Sequence, residues 1–237
     1  MALLIKLSLL FTVIFCLGYG LSALLYKKQS KPFAKSSLQL KVLMWIPIFL
    51  LFLLFLAGPN WVRVAITAYV LLYISKELAV AIKHSRHKWL IVLFATTVGI
   101  GFSLLLALIQ NYLNIVIAIG FASVLSDVFA FFIGNFYGRH PLPKAVNAQK
   151  SWEGVFGQII GAAIGVLLIT SFVTPVSLWL ILPIGIGSAV GDMANSYVKR
   201  KHNIKDWGNT LPGHGGFLDR FSSLSFAALF TAILVLA

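Results

Sequence analysis

The chain has 237 residues and only six carboxylates: Glu77, Asp127, Glu153, Asp192, Asp206 and Asp219. Five of the six fall in two segments. One runs from Ser126-Asp127 to Lys150-Ser151-Trp152-Glu153-Gly154, the other from Gly191-Asp192 to Asp219-Arg220. The same segments hold eight basic residues. In the second, Lys199, Arg200, Lys205 and Arg220 offer cations to phosphate oxygens. Between them, Pro212-Gly213-His214-Gly215-Gly216 is a turn whose glycines permit positive φ and close backbone approach. Successive exposed N–H groups in such a turn can cradle an anion. Asp206 and Asp219 flank the turn, and carboxylates beside a phosphate cradle suit a divalent cation that bridges them to the phosphates. This is phosphoryl or nucleotidyl chemistry, set against the plainer alternative of a basic interfacial loop.

Asp127 and Asp192 belong to the same chemistry from inside apolar sequence. Asp127 interrupts Phe121-Ala-Ser-Val-Leu-Ser-Asp-Val-Phe-Ala-Phe-Phe, where an ionisable group is expensive and marks a functional candidate. The alternative is a helix–helix hydrogen bond. Asp192 follows Ile184-Gly-Ile-Gly-Ser-Ala-Val-Gly191, a small-residue run that lets helices approach. On a helix, Asp192, Ser196 and Lys199 share one face.

The elements that must hold these groups are membrane spans. Hydrophobic residues make up 59% of the chain and charged residues 11%, against about 45–50% and about 25% for soluble domains. A soluble enzyme, a disordered chain and a disulfide scaffold are excluded; the single Cys16 forms no internal disulfide. Apolar stretches predict about eight transmembrane helices, near 3–25, 42–58, 61–82, 89–109, 113–137, 154–172, 175–197 and 222–237. The first is too long for a signal peptide and ends in Lys27-Lys28. The fold class expected is an all-α polytopic integral membrane protein with cytoplasmic catalytic loops. Its organisation is read as N-terminal helices over 1–110 and a catalytic membrane region over 111–237.

Charge sets the orientation. Of nineteen Lys and Arg, sixteen lie in the loops after spans one, three, five and seven, and the intervening connections hold only Arg63. This positive-inside alternation puts the four basic loops in the cytoplasm and both termini outside. Trp45, Trp61, Trp89 and Trp152 fall near span ends, as interfacial anchors do. The net charge of +13 is spread over short loops between spans, which favours membrane lipids and small anions over nucleic acid as partners. Glu77, beside Lys76, reads as an interfacial pair. Glu153 reads as an ion pair with Lys150 or as part of a nucleotide pocket. His84-x-x-His87 sits among bases and reads as a solvated loop.

Ser196-x-x-Lys199-Arg200, Lys205-Asp206, Leu211-Pro-Gly-His-Gly-Gly and Asp219-Arg220 together resemble the signature of the phosphatidate cytidylyltransferases, the CDP-diacylglycerol synthases. Asp127 before Ala130-Phe131-Phe132, Gly138-Arg139 and Lys150-Ser151-Trp152-Glu153-Gly154 resemble that family's second block, and Gly191-Asp192 fits as well. The resemblance spans roughly residues 120–223. It implies cytidylyl transfer from CTP to phosphatidic acid or another lipid phosphate. It implies catalytic roles for Asp127, Asp192, Asp206, Asp219 and His214. Mg2+, with room for a second cation, would lie between Asp192, Asp206 and Asp219. Substrate contacts would fall to Lys150, Glu153, Ser196, Lys199, Arg200, Lys205, Gly213, Gly215, Gly216 and Arg220. A homodimer is compatible, and the inner face of a bacterial plasma membrane is the expected location. One departure stands out: the family usually continues Asp-Arg-x-Asp-Ser, and here Ser222 takes the place of the second Asp. Serine cannot give a metal the same charge. The rival functions are another CTP-using membrane transferase, such as a polyprenol kinase, and a transporter or catalytically silent relative.

Overall fold

The computed structural model describes residues 2–28, 33–34, 36–83, 85, 87–147, 149–211 and 215–236. Among these it is all-α: α1 (Ala2–Lys28), α2 (Ser37–Leu43), α3 (Trp45–Ala57), α4 (Asn60–Lys83), α5 (Lys88–Asn111), α6 (Leu113–Tyr137), α7 (Trp152–Leu168), α8 (Ile181–Lys201) and α9 (Phe217–Leu236). Eight segments are long and apolar enough to cross a membrane, with α2 and α3 together forming one, Leu38–Ala57. The protein is a polytopic integral membrane protein. Expected boundaries shift outward wherever a polar residue continues a helix. The largest outward shift is at α9, which begins at Phe217 rather than near 222, because its first N–H groups find carboxylate acceptors; α8 instead begins inward, at Ile181 rather than near 175.

The core lies among α5 to α9, where Leu108, Ile117, Val166, Ile184 and Leu218 are fully buried. By contrast α1 turns Leu9, Val13 and Leu17 outward, as a lipid-facing helix does. In bilayer, helix association relies on close packing rather than on water exclusion, and small residues allow it. The most extensive contact is α6 on α7. Gly157, Gly161 and Gly165 recur at helical spacing on α7. A β-carbon at Gly161 would stand 2.5 Å from the Leu125 carbonyl oxygen, and one at Gly165 would stand 2.6 Å from the Ala122 Cα. On α8, the expected small-residue run does the same work: Gly187 abuts Ala227 and Gly191 abuts the Ser222 carbonyl, both on α9.

The ends of the spans sort by charge. On one face, the end of α8 meets the start of α5, with His202 Nε2 3.4 Å from the His87 carbonyl. The loop before α7 reaches α8 there, and α4 reaches the start of α9. This is the face of the basic loops. On the other face, Gln110 at the end of α5 donates to Asn60 at the start of α4 (3.2 Å). Arg63, a base in the first turn of α4, is consumed locally. Its guanidinium donates to the Phe55 and Leu56 carbonyls at the end of α3 and to the Asn60 side chain, where a cation meets the negative end of a helix dipole.

Candidate active site

Two polar clusters lie side by side on the basic face, joined by α9. The first surrounds Asp127 of α6 and Asp192 of α8. Lys150 Nζ contacts Asp192 Oδ1 at 2.5 Å, and Gln158 Nε2 of α7 donates to Asp192 Oδ2 at 3.2 Å. Asp127 hydrogen-bonds to the Ser223 side chain and lies within the electrostatic reach of Asp192, Arg220 and Lys150. Two carboxylates and two cations thus meet where four spans converge. The Lys150 and Asp192 side chains are 32% and 27% exposed, so the cluster opens to water. The glycine stripe on α7 sets this geometry. It draws α7 onto α6, which brings Lys150 and Gln158 to the Asp127 level.

Lys150 itself is carried by a strap between α6 and α7. Leu142 N donates to the Lys150 carbonyl, and Trp152 N donates to the His140 carbonyl. Glu153 closes the strap rather than pairing with Lys150. Its Oε1 lies 2.6 Å from His140 Nδ1, and both its oxygens accept from His140 N at 3.3 Å. Lys150 takes Asp192 instead, because the strap folds it away from the α7 surface that an i, i+3 pair would need.

The second cluster is centred on Asp219, whose side chain is 1% exposed. Lys199 Nζ contacts its Oδ1 at 2.5 Å. Its Oδ2 accepts from Trp207 N (2.8 Å) and Gly216 N (2.9 Å). The Trp207 indole donates to Asn195 of α8 (2.7 Å). Gly215 has φ +80, in the left-handed region, and a β-carbon there would lie 2.7 Å from Asp219 Oδ2. Behind Asp219 stands Glu77 of α4, 5% exposed. It accepts from Phe217 N (2.7 Å), Leu218 N (2.9 Å) and the Thr210 hydroxyl (3.2 Å). The expected Lys76–Glu77 pair is therefore absent: Lys76 lies over the Tyr73 ring, and Glu77 turns inward.

The expected site residues distribute as follows. Asp127, Asp192, Lys150 and Arg220 come together, and Lys199, Asp219, Gly215 and Gly216 come together. Ser196 is buried within α8; Lys205 and Asp206 are exposed, and Arg200 is half-buried. Gly213 and His214 lie outside the described residues. The set Asp192, Asp206 and Asp219 is not assembled for a metal: among the described residues no three His, Cys, Asp or Glu converge. Asp219 has its oxygens committed to a lysine and two N–H groups, which fits a structural anchor. The donor chemistry that fits Mg2+ is the Asp127–Asp192 pair, where the Lys150 ammonium sits against one carboxylate as a positive charge does. Three participants were not singled out by the sequence, Gln158, Asn195 and Ser223, and Glu77 was read only as an interfacial partner of Lys76. Gln158 is an amide in the middle of an apolar run, and that was a readable signal. Ser223 and Asn195 carried none.

Several relatives match about half of the chain. An Arabidopsis thaliana protein named phosphatidate cytidylyltransferase 5, chloroplastic, is 40% identical over 118 residues, which are 47% of this chain and 29% of that protein. Proteins named phosphatidate cytidylyltransferase from Mycobacterium bovis (31% over 128 residues, 52% and 42%) and Brucella abortus (42% over 107 residues, 44% and 40%) are similar too. The match thus spans less than half the length of each of these relatives. The Cytidylyltransferase family matches residues 1–237, the whole length of the chain, and the chain belongs to that family.

Proposed function

We propose that the protein transfers a cytidylyl group from CTP to phosphatidic acid, giving CDP-diacylglycerol and pyrophosphate. The observation that carries this is the Asp127–Asp192 pair bracketed by Lys150 and Arg220 at the membrane's basic face. A lipid phosphate and a nucleotide can both reach that depth, one from the bilayer and one from water. The names of the relatives support the same substrates.

A phosphate oxygen of the lipid attacks the α-phosphorus of CTP, a new P–O bond forms, and the bond from the α-phosphorus to the bridging oxygen breaks. Pyrophosphate leaves with that electron pair. Both reactants are anions, so positioning and charge neutralisation are the main demands. Bound at Asp127 and Asp192, Mg2+ would screen the triphosphate and the entering phosphate from each other. Lys150 releases Asp192 and turns to a phosphate oxygen. Arg220 offers bidentate contact to another. Arg200 and Lys205 draw the nucleotide from solvent, while Lys199 stays with Asp219 and holds the loop. A phosphate dianion is already a competent nucleophile, so no residue is needed to remove a proton from it. The membrane is the inner face of a bacterial plasma membrane, with the basic face toward the cytoplasm.

The test is direct. Purified protein in detergent receives labelled CTP, Mg2+ and phosphatidic acid, with other lipid phosphates in parallel arms. CDP-lipid and pyrophosphate should appear in equal amounts. A folded preparation that makes no CDP-lipid from any lipid phosphate would overturn the proposal.

A further inference from the structure

Helix α9 starts without a side chain at its cap. Gly216 occupies the position before Phe217, where Ser, Thr, Asp or Asn would ordinarily accept a hydrogen bond from the first free N–H groups. Half of a capping box is nevertheless present, because Asp219 reaches back to Gly216 N. The other half comes from another helix. Glu77 accepts from Phe217 N with one oxygen and from Leu218 N with the other, across 140 and 141 residues of sequence. Its carboxylate fills the space that a cap side chain would need. The three atoms nearest to a β-carbon built on Gly216 all belong to Glu77, the closest at 2.5 Å. Gly216 has no positive φ, and Glu77 is the nearest obstacle to a side chain there.

We infer that Glu77 is a positioning residue, a cap supplied by another helix that fixes the start of α9 and the segment at Thr210 against it. It also takes the Thr210 hydroxyl, so the loop bearing Lys205 and Asp206 is tied to α4 at two places. Within the next two turns of α9, Ser223 hydrogen-bonds to Asp127 and Arg220 lies within its electrostatic reach. Glu77 therefore acts on nucleotide binding through backbone it holds, without touching substrate. Its effect on turnover rests on the function proposed above; its effect on the helix start does not.

The experiment uses the full chain in detergent and three variants: Glu77→Ala, Gly216→Ser and the two combined. Steady-state turnover and amide hydrogen exchange at Phe217 and Leu218 are both measured. Glu77→Ala should raise KM for CTP about tenfold, with kcat within about threefold, and should speed exchange at both amides about tenfold. Gly216→Ser alone should do similar harm, because its side chain meets the Glu77 carboxylate. The double variant should recover KM and exchange to within about threefold of the parent, since the serine then caps α9 from its own chain. Glu77→Gln, which keeps the shape, should fall between and covers the case in which the alanine variant does not fold. Unchanged exchange at Phe217 and Leu218 would overturn the inference. So would a double variant no better than either single one, or a fall in kcat at constant KM. If the parent shows no turnover with CTP, the proposed function fails, and the exchange arms alone still decide the role of Glu77.

Discussion

Replacing Asp219 and Asp192 in turn by asparagine should separate two kinds of carboxylate. In Asp219→Asn, the amide keeps one oxygen for three donors. If that oxygen serves Trp207 N and Gly216 N, the amide NH2 faces the Lys199 ammonium, donor against donor. The side chains of the pair are 14% and 1% exposed, so solvent cannot replace the lost partner. Removing one member of a buried pair costs about 3–5 kcal/mol. For a chain of this size that lowers the melting temperature by about 6–20 °C. Adding Lys199→Met removes the stranded cation, and the double variant should recover about 1–3 kcal/mol. Asp192→Asn differs in kind. Its pair with Lys150 stays near the surface, and such pairs contribute up to about 1 kcal/mol. Melting should move by less than about 4 °C, while CDP-lipid formation falls about 100-fold or more. Thermal unfolding in detergent, with turnover measured well below the transition, reads both. Equal melting losses in the two variants, or a parent-like Asp219→Asn, would refute the division into anchor and catalytic carboxylate.

Other substitutions probe neighbouring parts of the same argument. Lys150→Met should cut turnover about 100-fold with little change in melting, because the strap that carries it is held by His140 and Glu153. Gly161→Val forces α6 from α7 where a β-carbon already lies 2.5 Å from the Leu125 carbonyl; melting and turnover should fall together, by about 1–3 kcal/mol in stability. Ser222→Asp places a carboxylate where the side chain is 1% exposed, one turn from Asp219. It should lower melting in EDTA, and added Mg2+ should restore the loss; melting indifferent to Mg2+ would separate position 222 from any metal.

Much of the fold was legible because a bilayer leaves the chain few options. Continuous apolar runs and the alternation of basic loops gave all eight spans, and polar residues that cap or continue helices account for the shifted ends. Arg63 looked like an exception to the charge pattern until its contacts with the end of α3 appeared. Within the site, Asp127 and Asp192 were marked by their cost inside apolar sequence, and they lie within each other's electrostatic reach. The sequence could not separate Asp219 from Asp192 and Asp206, for a physical reason: nearness along the chain says nothing about which oxygens are already committed to N–H groups. Glu77 was unreadable, since its partners lie 140 residues away and are backbone groups that carry no side-chain signature. The α7 glycines were visible in the sequence, but only the α6 surface pressed against them gives them meaning.

The bond between Glu77 and Phe217 also sets a timetable. Ribosomes add about 5–20 residues each second, so α9 follows α4 into the bilayer by roughly 7–30 s. During that interval Glu77 waits without the helix start it will cap, and Asp127 without Ser223 and Arg220. Each is a costly orphan at the membrane's edge until the ninth helix arrives. Its arrival settles both at once, so completion of the site and burial of those carboxylates are one event.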